Sequence, residues 1–503
     1  MVAAIPLPAF PGVQDTIRLI PELILGAGFL LLMILDLLVP ARRRGVLAAV
    51  TTVVLAMTLA SVVWAWFDTG RHGYAYYGSF AYDRFAFFLD GIILTSAILV
   101  VIISPGYLNR RGLHHGEYYA LILGATAGMV LLAGAASLMV IFLAIELLSI
   151  SLYILSGFSR TEERSQEAGL KYLLLGGFAS GFLLYGMALI YGETGHTQLG
   201  RIQAALVAGS HTTDQLFLAG VMLLFVGLAF KISAAPFHTW TPDVYQGAPT
   251  SVTTFMSVTT KVAAFGALIR VFTATLYASN DKWQGIVAFV AIVSMVLGNV
   301  AALTQSSVKR VLAYSGIAQA GYILIGVVGL DPLGTVGALY YLAAYAAMNI
   351  GAFAVITIMA GRGEDLDSYD NIRGLAYRRP YVAAAMSLFL LSLGGFPPTA
   401  GFIAKFLVFS AAIHSGQLYL AMWGIATSAI SVYYYLRIAM LMYTRPREGE
   451  ASYDWPRTSI AGGTAILATS AGTVFLGIFV FFIYSAATLA QVGTFPAPLR
   501  IGT

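Results

Sequence analysis

Residues 226–261 read VGLAFKISAAPFHTWTPDVYQGAPTSVTTFMSVTTK. This stretch sets Lys231 near the end of one apolar segment and Lys261 in the middle of the next, with Pro236, Pro242 and Pro249 between them. A lysine at bilayer depth costs roughly 2.5 to 3.5 kcal/mol on insertion scales, so it is by default a functional candidate. Proline removes a backbone donor and frees carbonyls that only protein or water can satisfy inside a membrane. Buried charge beside broken backbone points to an ion path.

The rest of the chain supplies the membrane. Of 503 residues, 59% are hydrophobic and 10% charged, mean hydropathy is +0.81, and apolar runs of about 20 residues recur along the whole length. The reading is an all-α, polytopic membrane protein with one integral membrane domain over 1–503, because no polar gap is long enough for a soluble domain of ordinary size. Cysteine is absent, which removes disulfides, thiolate zinc sites and cysteine-held iron–sulfur clusters from consideration. Neither a G-x-G-x-x-G nor a G-x-x-x-x-G-K-[ST] pattern occurs, so no dinucleotide or ATP site can be argued from motif. The first basic residue is Arg18, and the first apolar segment is therefore expected to be retained and not cleaved as a signal.

The apolar runs predict about 14 spans, near 19–39, 46–66, 85–108, 117–135, 136–157, 169–191, 215–235, 248–275, 283–303, 308–330, 333–360, 381–412, 418–443 and 460–487. One set of alternate connections holds Arg42, Arg43, Arg44, Arg110, Arg111, Arg160, Arg164, Lys309, Arg310, Arg362, Arg373, Arg378, Arg379, Arg445, Arg447 and Arg457. The other holds only Arg71, Arg84, Arg201, Arg270 and Lys282. The positive-inside rule puts the first set in the cytoplasm and both termini on the non-cytoplasmic side. This asymmetry accounts for the net charge of +5, and no nucleic-acid partner is needed.

Four ionisable residues lie too deep for loops. Glu146 falls in the middle of AASLMVIFLAIELLSISLYIL, and Lys261 about 12 residues into its span, roughly 18 Å along a helix. Lys231 is about one turn from its span's end, where it either snorkels or stays inside. Lys405 lies in the 381–412 segment, which as one helix would be about 48 Å long against a hydrocarbon core of about 30 Å. LGGFPPTAGF, with Pro397 and Pro398, offers a break just before it. Thr250, Ser251, Thr253, Thr254, Ser257, Thr259 and Thr260 crowd the approach to Lys261. They serve either to hold water in a proton path or to pack helices. His238 is a weaker relay candidate. Asp36, Asp90 and Arg437 sit near span ends and read as interfacial anchors.

IFLAIELLSISLYILSGF, GLKYLLLGGFASGFLLYGMALIYGETG, KISAAPFHTWTPDVYQGAPT, NVAALTQSSVKRVLAYSGIAQAGYILIG and GGFPPTAGFIAKF carry a family resemblance, TPDVYQGAPT most specifically. The chain resembles the N subunits of bacterial NADH:quinone oxidoreductase, respiratory complex I, which are antiporter-like membrane subunits. The resemblance covers spans five to twelve. It implies two inverted five-helix repeats, 117–275 (helices 4–8) and 283–443 (helices 9–13), with helices 7 and 12 interrupted and 1–116 and 444–503 flanking them. It also implies that Glu146, Lys231, Lys261 and Lys405 are the helix-five, -seven, -eight and -twelve proton-transfer positions, and that the long lateral helix of L subunits is missing.

The implied function is proton translocation in the bacterial cytoplasmic membrane, driven by quinone reduction elsewhere in the assembly. Quinone, NADH, FMN and iron–sulfur clusters would belong to partner subunits, with no cofactor on this chain, and antiporter-like neighbours would be among those partners. Two rivals remain: a subunit of a multisubunit sodium/proton antiporter, and a structural membrane anchor.

Overall fold

The computed structural model describes residues 12–208, 215–361, 367–445 and 455–491. Both chain ends, Arg362 and Arg447 lie outside the described residues. The helices are α1 (Ile20–Leu38), α2 (Gly45–Phe67), α3 (Arg84–Arg111), α4 (Gly116–Ala133), α5 (Leu138–Ser156), α6 (Glu163–Thr194), α7a (Gln215–Lys231), α7b (Trp240–Gly247), α8 (Thr250–Ile269), α9 (Asn280–Leu303), α10 (Val308–Val328), α11 (Pro332–Met359), α12a (Pro380–Gly394), α12b (Ala400–His414), α13 (Leu418–Tyr443), α14a (Ile460–Ile478) and α14b (Val480–Gln491). Twelve crossings rest on helices long and apolar enough to span a bilayer. Two more, the seventh and twelfth, are each made of two shorter helices, which gives the expected fourteen among the described residues.

Local chemistry sets several of these boundaries. Asp83 caps α3 by accepting from Ala86 N at 2.9 Å, and Gly112, at φ 68°, ends it in the left-handed conformation that glycine adopts without penalty. Asp331 caps α11 by accepting from Leu333 N, with Pro332 in the first helical position where its missing amide costs nothing. Two details depart from the sequence reading. A small antiparallel hairpin, β1 (Gly73–Ala75) with β2 (Phe80–Tyr82), closes the connection between α2 and α3. The last crossing, expected as one segment, bends at Phe479 between α14a and α14b.

α8 is buried at every position from Thr250 to Ile269, and α10 and α11 are nearly so. They form the protein's centre. At the periphery α6 turns Leu170, Leu174, Phe178 and Tyr185 outward, as suits a face toward lipid or a neighbouring subunit.

The alternate connections fall on two opposite faces. On the basic face Arg44 donates to His114 O at 2.7 Å, Arg111 pairs with Glu162, Arg310 pairs with Asp243 at 2.9 Å, and Arg379 donates to Trp455 O at 3.1 Å. On the other face Arg270 pairs with Asp83 at 2.8 Å.

Internal repetition shows in two places. Ser137, just before α5, makes an isolated antiparallel bridge to Gln198 beyond α6, and Ser307, just before α10, makes the same bridge to Ser368 beyond α11. One bridge lies on each face, as inversion requires. Likewise Gly128 on α4 lies so close to α5 that a Cβ would come 2.6 Å from Leu148 N, and Gly298 on α9 meets Ala318 N of α10 at the same distance.

Three residues are not where the sequence placed them. Asp90, read as an interfacial anchor, is buried within α3, because α3 carries its packed face through the first turns. Lys309 and Arg270, counted among loop charges, are also buried: Lys309 points its amine at Gln246 O of α7b at 3.5 Å, and Arg270 forks onto Asp83 at 2.8 and 3.0 Å.

Candidate functional site

Lys231 ends α7a at the first interruption and does not snorkel: it is 3% exposed. Its ammonium donates to Ser149 Oγ of α5 at 2.6 Å and sits about 5.5 Å from the ring centres of Tyr153, Tyr172 and Phe230. Tyr172 stacks on Trp240, so α7b completes the aromatic box from beyond the break. Ring faces attract a cation without removing its proton.

Glu146 lies one turn before Ser149 on α5, half-buried, and accepts from Ser180 Oγ of α6 at 2.5 Å. Glu146 and Lys231 both face the space between α5 and α7a. Among the described residues no ion pair joins them: a serine stands between, because the lysine reaches α5 one turn away from the glutamate. His238 lies half-buried in the interruption. Among the described residues no hydrogen bond or ion pair joins it to Glu146 or any of the three lysines.

Lys261 is 1% exposed at the centre of α8 and donates to Gly316 O of α10 at 2.5 Å, with the Tyr345 ring 5.6 Å away. Glycine leaves room for this contact, since a Cβ at 316 would stand 2.7 Å from the ammonium. The hydroxyls before Lys261 serve mostly the helix itself. Thr254, Ser257, Thr259 and Thr260 each donate to a carbonyl about one turn back. Cross-helix contacts come from Thr254 with Thr357 and from Asn349 donating to Ser257 Oγ, both tying α8 to α11. Packing therefore explains most of this cluster.

The twelfth crossing breaks where the sequence indicated, between Gly394 and Ala400, with Gly395 at φ 92°. Lys405, 5% exposed, is one turn and a half into α12b and folds back onto the break. Its ammonium donates to the freed carbonyl of Gly394 at 3.0 Å and to Ser428 Oγ of α13 at 2.7 Å, above the Tyr322 ring at 5.0 Å. Gln319 Nε2 takes the neighbouring Leu393 carbonyl at 3.2 Å. An interruption inside a membrane must satisfy such carbonyls internally, and here the candidate lysine does so itself.

Between Lys261 and Lys405 runs a set of polar groups that the sequence reading did not single out, because they are scattered over helices distant in the chain. α10 carries them outward from Gly316: Ser315 shares a 2.5 Å hydrogen bond with Tyr435, Gln319 donates to the same phenol at 3.3 Å, and Tyr341 donates to Gln319 Oε1. Asn299 donates to Tyr322 at 3.0 Å and accepts from Tyr434 at 2.9 Å. A glutamine in the middle of AYSGIAQAGYILIG was the available signal. The arrangement is three buried amines, each on neutral acceptors, strung along the protein's centre with hydroxyls and phenols between them.

Residues 135–431 match the family model described as NADH:quinone oxidoreductase/Mrp antiporter, transmembrane. NADH-quinone oxidoreductase subunit N of Trichlorobacter lovleyi is 43% identical over 460 residues, 92% of this chain and 93% of its own length. NADH-quinone oxidoreductase subunit N 1 of Solibacter usitatus is 41% identical over 483 residues, 96% of this chain and 98% of its own. Among solved structures, a chain of respiratory complex I from Thermus thermophilus superposes with a TM-score of 0.79 at 34% identity, covering 93% of this chain and 99% of that one. A chain of the Mrp complex from Dietzia sp. reaches 0.83 at 21% identity, covering 97% of this chain and 98% of that one, and so shares the fold.

Proposed function

Because this chain belongs to the NADH:quinone oxidoreductase/Mrp antiporter membrane family, we propose that it is the proton-translocating N-type membrane subunit of an NADH:quinone oxidoreductase. Protons move through Glu146, Lys231, Lys261 and Lys405, and the redox step runs in partner subunits that hold NADH, FMN, iron–sulfur clusters and quinone. The chain brings no redox centre of its own. The two inverted units are 117–275 and 283–443, with 1–116 and 444–503 flanking them. The setting is the bacterial cytoplasmic membrane, basic face inward and both termini on the far side.

The observation that carries this reading is the environment of the three lysines. Each is at least nine-tenths buried, and each amine rests on a hydroxyl or a backbone carbonyl, with no carboxylate partner among the described residues. A lysine locked to a carboxylate by a tight ion pair is a structural cation. One on neutral acceptors in a dry site is free to gain and lose a proton as its surroundings change. Glu146, near Lys231 but not bonded to it, is placed to alter that balance through space when the helices shift. The link from α10 through Ser315, Gln319 and Tyr435 offers the hydroxyls along which water would order between Lys261 and Lys405.

The test is Lys261→Ala in the assembled enzyme, with quinone reduction and proton uptake measured together in sealed vesicles. Loss of pumping with assembly retained is expected. A structural anchor would pump fully, and sodium-driven proton movement without NADH or quinone would point to the antiporter rival.

A further inference from the structure

Asp90 is a buried carboxyl group that the chain of lysines leaves unused. It is 4% exposed and lies about 9 Å into α3 from the end opposite the basic face. Among the described residues it makes no hydrogen bond or ion pair, and its Oδ1 is closed off from the surface. The charged groups that act on it through space are Glu22 of α1, Asp83 at the start of α3 and Arg270 at the end of α8. Glu22 is half-buried, and its Oε2 is also closed off without a partner. Arg270 gives its two terminal nitrogens to Asp83 and Ala133 O. Arg84 turns onto the Trp66 ring, and His72 lies against Phe87 and donates to Ala65 O. The helices packed on the outer half of α3 add no further charge. There α2, α4 and α14a carry no ionisable side chain and α14b carries only Tyr484, while the phenols of Tyr340, Tyr341 and Tyr345 on α11 donate to Leu476 O, Gln319 and Ser257 O.

We infer that Asp90 is a proton-binding site, held as the uncharged carboxylic acid, outside both inverted units and apart from the four residues assigned to translocation. An ionised carboxylate taken out of water with no hydrogen bond or cation of its own is far costlier than the neutral acid, and two of the three charges facing Asp90 are themselves negative. A metal ion does not fit in the proton's place. No group of three His, Asp, Glu or Cys side chains gathers among the described residues, whereas a hard cation takes about six or more oxygens. The proton matters to α8, the helix of Lys261. Arg270 Nε is buried without a partner, so ionising Asp90 sets a second carboxylate against Asp83 for this guanidinium and loosens the clamp between the end of α8 and the start of α3. Proton loading at Asp90 thus reaches the lysine helix through Arg270.

The experiment compares infrared spectra of the purified assembly containing this chain, wild type against Asp90→Asn, at neutral pH in light and heavy water. The difference should contain the carbonyl stretch of one uncharged carboxylic acid, moved to lower frequency in heavy water, and raising the pH should replace it with carboxylate stretches. Glu22→Gln takes away a facing negative charge, so the replacement should come at lower pH. Asparagine copies the shape of the uncharged acid, and Asp90→Asn should therefore assemble and keep the wild-type unfolding midpoint. The readout is the protonation state of one side chain, so it stands or falls separately from pumping. Carboxylate stretches in the difference at neutral pH, with or without a dependence on added sodium, would overturn the inference. So would failed assembly or a lowered midpoint in Asp90→Asn, or a shift to higher pH in Glu22→Gln.

Discussion

At Lys261 the deciding contact is with a backbone atom, and the residue that permits it has no side chain. Gly316→Ala would place a Cβ 2.7 Å from the ammonium and 3.0 Å from the Tyr345 hydroxyl. The lysine end is flexible, so it moves and the fold survives. The expected result is near-normal assembly with impaired pumping, checked by comparing proton uptake and quinone reduction in the same vesicles. At Lys231, Ser149→Ala removes the one hydrogen bond that the ammonium makes among the described residues, at a cost of about 1 to 3 kcal/mol for a buried charged donor left unmet. Pumping should fall while the neighbouring rings hold the lysine in place, and Ser149→Thr, which keeps the hydroxyl, should restore most of it. Lys405→Arg keeps the charge over Gly394 O but substitutes a group that does not release its proton in this range. It should pump as poorly as Lys405→Ala, as measured by the proton-to-electron ratio.

The two interrupted helices show how an element can be built around a charge. At the twelfth crossing the end of α12a is capped by Lys405 of α12b and by Gln319 of α10, so charge and break depend on each other. Gly395→Ala tests this: at φ 92° an alanine is strained by about 1 kcal/mol or more, and its Cβ would press Lys405 Cδ at 3.1 Å. The expected outcome is reduced pumping and faster loss of activity on heating. On the opposite face, the end of α8 is tied to the start of α3 by the pair of buried Arg270 with half-buried Asp83. Asp83→Ala leaves Arg270 unpaired and removes the α3 cap, which should destabilise the protein by about 3 to 5 kcal/mol, read as a lower unfolding midpoint of the purified assembly.

Across the whole molecule, fourteen crossings return the chain to the face it started from, and the arginine-rich connections gather on one side. In this cysteine-free chain single cysteines are informative. Replacements at Arg43 and Arg378 should react with an impermeant maleimide from the same, cytoplasmic side, and those near either terminus from the other. Labelling of the N-terminus from the cytoplasmic side would overturn this topology.

The sequence determined the class, the number of crossings and the four charged positions, because burying lysine or breaking a helix in lipid is costly enough to stand out in one dimension. It located the break before Lys405 for the same reason: about 48 Å of helix and two adjacent prolines leave few alternatives. What each charge touches was decided only by tertiary structure. Whether Lys231 meets Glu146 or Ser149 depends on a difference of one turn on α5. Whether the threonines before Lys261 line a path or close their own backbone depends on which neighbour is nearer. The polar link through Gln319 and Tyr435 joins residues 116 apart: the glutamine stands out in its apolar segment, but nothing local names its partner. Charge in a membrane is legible residue by residue, whereas hydrogen-bond partners are set by how helices distant in sequence pack together.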